Sequence, residues 1–591
     1  MQLTHSPSKK QNSPDAATRS QIVNTYRSLN HWHSFQFKLF WEGIIVGIFS
    51  GLVISLFRFL LTKAEEWRTD LYEQLTQLPD LYTAGWFAAL LVIGAVLYKL
   101  TIYEPMAGGS GIPQVKGVIL GFMRMNWFRV LWVKLAGGVI GLGAGLSLGR
   151  EGPSIQLGAV TAQGISRFWG RSRMEERYLV TSGAGAGLAA AFNAPLAGVI
   201  FSLEELHRNF SAVVLLPAMT AALTATFVSR VLFGRGFIFS FYGLPPFPHI
   251  HLLYAVAIAV IAGLCGVLFN TGLLNINKFY GLPVFKSLYY KIAFSLLCAG
   301  LLGFALPQVL GGGNLLVNEL ALKTFPVQLL VTLLIGKFLF TLISYGTGVP
   351  GGFFLPMLVL GALVGSICAH FLLAFHLIAA NHAANVIVIA MAAFFSASVR
   401  APITGTVLIS EMTGSFSHLM ILGITSAIAY IVAQLCGSQP IYEALLLKNL
   451  QSHSTPDPDV VKEERDIVEV PVSSGSIIEN KKVKDIPWPE HTLLVDVKRG
   501  PDQLVPEGNT IIRAGDFLYV LTKTETADEV RALGSDLRKY KRYKEQGFQK
   551  KEGWTKHRER LRDSMRRNSS AVARLFEGRS PEFRSHRRMS Q

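Results

Sequence analysis

Charged side chains are scarce. Asp, Glu, Lys and Arg make up 16% of the 591 residues, while half of the chain is hydrophobic, and the mean hydropathy is +0.36. That balance excludes a string of soluble domains and indicates a polytopic membrane protein with polar ends. Cysteine is scarcer still. The four residues Cys265, Cys298, Cys368 and Cys436 lie singly in apolar segments, so neither a disulfide framework nor a metal-ligand spacing is expected. An apolar core followed by a small-residue cleavage site is missing from residues 1–38, which carry Lys9, Lys10, Arg19 and Arg27. The stretch reads as a cytoplasmic N-terminal arm rather than a signal peptide.

The net charge of +17 is unevenly placed. Residues 538–591 hold 18 Lys and Arg against 6 Asp and Glu. The tail therefore says nothing about the membrane core. Its charge suits anionic lipid, nucleic acid is not an expected partner, and a solvated disordered segment (536–591) explains it as well.

Apolar runs fill residues 40–62, 84–102, 127–148, 178–201, 212–234, 252–277, 288–306, 326–345, 352–378 and 383–436. A full span needs about 20 apolar residues, yet several runs are shorter and broken by Gly and Pro. Such breaks are tolerated at membrane depth only where helix ends line a protein-enclosed cavity. Three of them read as helix starts, with Gly turns followed by Pro. They are Gly109-Ser110-Gly111-Ile112-Pro113, Gly149-Arg150-Glu151-Gly152-Pro153, and the stretch from Gly348 to Pro356 that contains Phe353 and Phe354.

The second half replays the first. At an offset of 203, Gly108-Gly109-Ser110 falls on Gly311-Gly312-Gly313, Lys134 on Lys337, Gly149 on Gly352 and Pro153 on Pro356. At an offset of 207, Ala194-Pro195 and Glu204 fall on Ala401-Pro402 and Glu411. The membrane part, 39–446, is thus a duplication with repeats of about 40–206 and 250–413, and such repeats place the substrate at their interface. The offset alone leaves inverted and parallel repeats both open.

Helix N-termini present free N–H donors and partial positive charge, so three converging starts favour an anion. No carboxylate or carbonyl cluster suited to a hard cation accompanies them. Arg150 is the one cation among them, which keeps binding weak enough for release. Glu151 is an ionisable group at membrane depth. When ionised it can take an anion's place, and when protonated it can leave, which would couple protons to anions. Taken singly, Ser110 is explained as a helix cap, Phe353 and Phe354 as packing, and Glu151 as a cap or a partner of Arg150.

The three motifs together resemble the signatures of the CLC chloride channel and transporter family, and Gln439-Pro-Ile-Tyr442 is similar to that family's last helix. The resemblance spans about 40–446. It implies an all-α polytopic cell-membrane fold of inverted repeats with broken helices, a homodimer, and one anion path per subunit; the positive-inside bias places both termini in the cytoplasm. The resemblance also implies anion binding by Gly109, Ser110, Arg150, Gly152, Tyr442 and the amides of Phe353 and Phe354, with Glu151 as gate. Glu205 matches the proton glutamate of the exchangers; otherwise it is a helix-end carboxylate facing Arg208. Ser110 resembles the chloride-selective pattern rather than the nitrate-preferring or fluoride-exporting ones.

The expected function is proton-coupled chloride antiport, with a passive voltage- or ligand-gated chloride channel as the alternative. No enzyme activity and no cofactor are expected, the substrates being chloride and H+. A serine protease, from Gly108-x-Ser110-Gly111 and His370, is set aside because nothing positions the histidine.

After a linker at 447–465, strands are expected at 466–472, 492–498 and 516–522, with a helix at 526–533. This α+β segment, 466–535, resembles the C-terminal domain of potassium-conductance regulators (RCK-C, or TrkA-C). The resemblance implies a cytoplasmic dimerising domain, and a nucleotide or cyclic dinucleotide as a possible regulator.

Overall fold

The computed structural model describes residues 16–453 and 465–534, with breaks at 209, 235, 240, 242, 500–501 and 524–525. It divides into two units, Met1–His453 and Ser454–Gln591. The basic tail and most of the linker lie outside the described residues. The expected arm does not end where the apolar sequence begins, because one helix runs unbroken from Ala16 to Leu75.

The first repeat consists of α1 (Ala16–Leu75), α2 (Asp80–Tyr103), α3 (Ile112–Ile119), α4 (Trp127–Gly143), α5 (Glu151–Phe168), α6 (Arg173–Phe192), α7 (Pro195–Phe201) and α8 (Ala212–Phe233). The second matches it helix for helix. It comprises α9 (Leu252–Phe279), α10 (Leu288–Ala305), α11 (Asn314–Leu322), α12 (Val327–Gly346), α13 (Phe354–Ala374), α14 (Ala383–Val399), α15 (Pro402–Thr413) and α16 (Leu419–Leu435). A last helix, α17 (Ile441–His453), follows. Among the described residues nine helices are long and apolar enough to cross a membrane. The short ones, α3, α7, α11 and α15, are the broken pieces.

The repeats meet by reciprocal bonds, which marks a two-fold relation. The N–H of Gly149 donates to the carbonyl of Gly352 (2.5 Å), and that of Gly352 to Gly149 (2.9 Å). Gly109 donates to Gly348 (3.1 Å) and Gly311 to Gly145 (3.4 Å), a second pair of equivalents.

The two loops correspond at a different offset from the lysines that hold them. Gly109 and Gly311 share φ values of 60° and 59°, and Gly111 and Gly313 share 85° and 90°. The loop offset is therefore 202, and the partner of Ser110 is Gly312 rather than Gly313. Lys134 and Lys337 keep the offset of 203 and play one part. Lys134 Nζ donates to the carbonyls of Ala107 (2.9 Å) and Gly109 (2.7 Å), and Lys337 Nζ to those of Val309 (2.9 Å) and Gly311 (2.7 Å). Each buried ammonium thus ties down the loop before a broken helix, satisfying carbonyls that no helix could.

The second unit is a four-stranded antiparallel sheet in the order β1-β4-β2-β3. Its strands are β1 (Arg465–Pro471), β2 (Leu493–Arg499), β3 (Asp502–Leu504) and β4 (Phe517–Lys523). The closing helix α18 (Ala527–Leu533) brings Val530 and Leu533 onto Val468, Val470 and Val520. Strand signals in the sequence located β1, β2 and β4. The three-residue β3 was missed because it is too short to show a period.

Candidate functional site

The three Gly-Pro helix starts converge on one point. Gly111, at φ 85°, is the N-cap of α3, with Pro113 in its first turn. Two backbone bonds, Gly109 N–H to Gly348 and Gly351 N–H to Gly109 (2.9 Å), join the first motif to the third. Gly152 allows the second to join them. A Cβ there would stand 2.7 Å from the carbonyl oxygen of Ser110 and 3.1 Å from its Cα, so a side chain would drive the two loops apart.

At this junction sit polar groups that the fold leaves unsatisfied. Ser110 is 1% exposed and Tyr442 fully buried. Neither hydroxyl makes a full hydrogen bond among the described residues, although the Tyr345 hydroxyl lies beside that of Ser110. The ring of Tyr442 stacks on Phe353 at 5.4 Å and 23°, and Tyr345 meets the same ring edge-on at 4.8 Å. Phe353 is the N-cap of α13 and Phe354 its first residue, so their N–H groups belong to the set a helix cannot pair internally. The side chain of Phe354 packs away into Phe192 and Phe395. Buried polar groups without partners carry a cost unless something binds them.

Glu151, the first residue of α5, is fully buried. Its carboxylate faces the amides of its own residue and of Leu355. None makes a complete hydrogen bond to it, and both oxygens are unpartnered among the described residues. Arg150 Nε stands 3.8 Å away. The acid therefore lies where the N-termini of α5 and α13 meet, held by field more than by fixed bonds.

The remaining expected residues divide. Gly109 lies at the junction, but its N–H is engaged by Gly348, so it joins the loops rather than offering an amide. The guanidinium of Arg150 lines a separate cavity, with Arg58. Glu205 is 2% exposed, in a π-helical turn at Ser202–His207. Its partner is not Arg208, which pairs with Glu443. It is Lys116 on α3, 2.7 Å away and equally buried. That lysine was missed; it lies six residues beyond Ser110, on the helix the first motif opens. A cavity of about 630 Å3 reaches the junction beside Gly109 and Tyr345, with Lys291 and Lys448 in its wall. His370 lines a different cavity with Leu320, Ser366 and Ile387, away from Ser110.

The sequence pattern of the family described as voltage gated chloride channel matches residues 89–434, and that of the TrkA-C domain matches 467–533. The H(+)/Cl(-) exchange transporter ClcA of Vibrio cholerae is 34% identical over 449 residues, covering 72% of this chain and 92% of the relative. A slow cyanobacterial Cl-/H+ antiporter of known structure superposes with a TM-score of 0.67 at 31% identity, over 70% of this chain and 98% of the other. A CLC-type fluoride/proton antiporter shares the fold alone, with a TM-score of 0.57 at 23% identity over 69% and 97% of the two chains.

Proposed function

The chain belongs to the voltage gated chloride channel family, and we propose that it works there as a proton-coupled chloride antiporter in a membrane it crosses many times. The observation that carries the reading is the buried Glu151 carboxylate, without a full hydrogen bond, at the meeting of the α5 and α13 N-termini. There it faces the amides of its own residue and of Leu355, next to the ones a chloride takes, and so stands in an anion's path. A chloride occupies the hydroxyls of Ser110 and Tyr442 and the N–H groups of Phe353 and Phe354 when Glu151 swings out protonated. Arg150 and Gly152 shape the Glu151 side, by charge and by the absence of a side chain. Glu205 passes protons from the other side, beside Lys116.

Two copies pair in the cell membrane with both termini in the cytoplasm, and the TrkA-C unit supports the pair. A nucleotide or cyclic dinucleotide is its proposed regulator; titration calorimetry that gives no heat with either removes it. The function is tested in proteoliposomes by recording chloride and proton flux together. A chloride gradient should drive protons uphill at a fixed ratio, and passive chloride flow without proton movement would replace the antiporter by a channel.

A further inference from the structure

Glu65 is an acid on α1 that the function proposed above does not use. Its depth follows from the ion pairs at the other end of that helix. Lys38 pairs with Glu175 (2.5 Å) and Arg171 with Glu42 (2.6 Å), so α1 starts beside the basic loop at 167–177, the cytoplasmic side. From Glu42 to Glu65 is about 34 Å along a helix. Glu151 opens α5, which runs 18 residues to the same loop, about 27 Å. Glu65 therefore lies beyond Glu151, toward the outer face. It is half-buried, with Trp67 and Asp70 exposed in the next turn, whereas Glu151 is fully buried.

One seam of glycines joins the two acids. A Cβ on Gly311 would stand 3.3 Å from Glu65 Oε1 and 3.5 Å from Arg68 Nη2. One on Gly312 would stand 2.7 Å from Leu355 Cδ2 and 3.7 Å from the carbonyl oxygen of Leu148. The Leu355 amide faces Glu151, and a Cβ on Gly149 would strike the Glu151 carboxylate. The charge of Glu65 reaches Glu151 on one side and Lys337 on the other. A bracing role does not account for it. Among the described residues its carboxylate has no hydrogen bond and no ion pair. The cations beside it give their donors to carbonyls instead, Arg68 Nη1 to Leu142 (3.0 Å) and Lys337 Nζ to Val309 and Gly311. On its own helix Lys63 pairs with Glu66 (2.7 Å), and Arg150 faces Glu151 from the other flank.

We propose that Glu65 is the proton-loading partner of Glu151 on the outer side: it takes a proton from the outer water and passes it inward to the Glu151 carboxylate. The O–H bond at Glu65 breaks as another forms at Glu151, with a water at the glycine seam carrying the proton across. Two carboxylates within reach of each other's charge repel when both are ionised, so the Glu65 left ionised favours the proton where it has gone. Arg68 and Lys337 offset the charge of Glu65 until it reloads. This inference rests on the antiporter reading, to which it adds the proton's entry on the side opposite Glu205.

Paired proton and chloride fluxes of the full chain in proteoliposomes, with the pH of each side varied in turn, test it. Glu65→Gln should move the outer pH of half-maximal exchange down by about one unit, regain the unaltered rate in acid, and leave the dependence on inner pH where it was. Glu65→Asp should restore the original profile, and Glu65→Lys should move it further the same way. An outer profile that Glu65→Gln leaves in place overturns the proposal. So does a slowing that is equal at every outer pH, which is what loss of a brace for Arg68 and Lys337 would give. If Glu65→Gln fails to fold, Glu65→Lys decides by the same shift, and a profile left unmoved or moved upward is against it. Proton coupling in the unaltered protein with an unmoved Glu65→Gln profile sinks this inference alone. Absence of coupling in the unaltered protein sinks the antiporter reading and the loading step with it.

Discussion

Glu204 and Glu411 each cap a helix belonging to the other's repeat. Glu411 accepts from the amides of Leu196 (3.2 Å) and Ala197 (2.8 Å), in the first turn of α7. Glu204 accepts from those of Ile403 (3.2 Å) and Thr404 (2.7 Å), in the first turn of α15. Both helices begin with Pro, at Pro195 and Pro402, so the next two amides are the ones left to satisfy. The repeats are thus clasped by two carboxylate caps as well as by the backbone bonds at Gly149 and Gly352.

Replacing either cap should loosen the clasp without touching the anion junction. Glu411→Gln is expected to cost about 1 kcal/mol, the usual value of a capping side chain, with Glu204→Gln similar. The two should couple rather than simply add, since α7 and α15 pack directly on each other. Thermal unfolding of the purified protein measures this. A loss of several kcal/mol from one substitution would mean that the clasp is cooperative.

Glu151→Ala removes the side chain that faces the amides of α5 and α13 in the anion's path. Chloride should still cross, now without regard to pH, and proton movement should cease. Paired flux recordings check both halves. Continued uphill proton movement in the variant would show that the proton route bypasses residue 151.

The motifs made the junction legible because glycine and proline announce their backbone geometry in the sequence. Gly109, Gly111, Gly149 and Gly352 are where the chain turns or closes up, and each was visible as a break in an apolar run. The lysine pair was legible as a repeat but not as a clamp, since nothing in the spacing tells an ammonium which carbonyls it will reach. The ion pair of Lys116 with Glu205 joins residues 89 positions apart, beyond any local pattern. The Gly312 register was hidden for a simpler reason. One residue more lies between loop and lysine in the second repeat, and a run of three glycines hides a shift of one.

In the TrkA-C unit the charge pair of Arg499 with Asp516 gives a pH dependence. Burial raises the Asp516 carboxyl, but the Arg499 guanidinium and the Arg513 amide outweigh it and hold it below the ordinary value, which is about 3.9. The contacts are 2.8 Å from Arg499 Nε, 2.7 Å from its NH2 and 2.8 Å from Arg513 N–H. A depressed carboxylate stabilises the fold fully above the ordinary value and loses that contribution as pH falls through the lowered one. Hydrogen exchange of residues 465–534 in the full chain should therefore quicken below about pH 4. Asp516→Asn should quicken it at neutral pH and flatten the acid dependence.

The pair of Lys116 with Glu205 is the sharpest test of how protons reach the junction. Both side chains are out of water, with relative exposures of 1% and 3%, so neither charge tolerates loss of the other. Lys116→Met should destabilise the protein by roughly 3–5 kcal/mol, because it strands a buried carboxylate. Adding Glu205→Gln should recover much of that, since the stranded charge is then gone. Function should separate the two residues. Glu205→Gln alone stops proton transport and leaves chloride binding at Ser110 intact, if the acid is the relay. Isothermal titration of chloride beside proton flux distinguishes the outcomes. An unchanged proton-to-chloride ratio in Glu205→Gln would make the pair a brace between α3 and the turn at Ser202–His207, and protons would then need another path to Glu151.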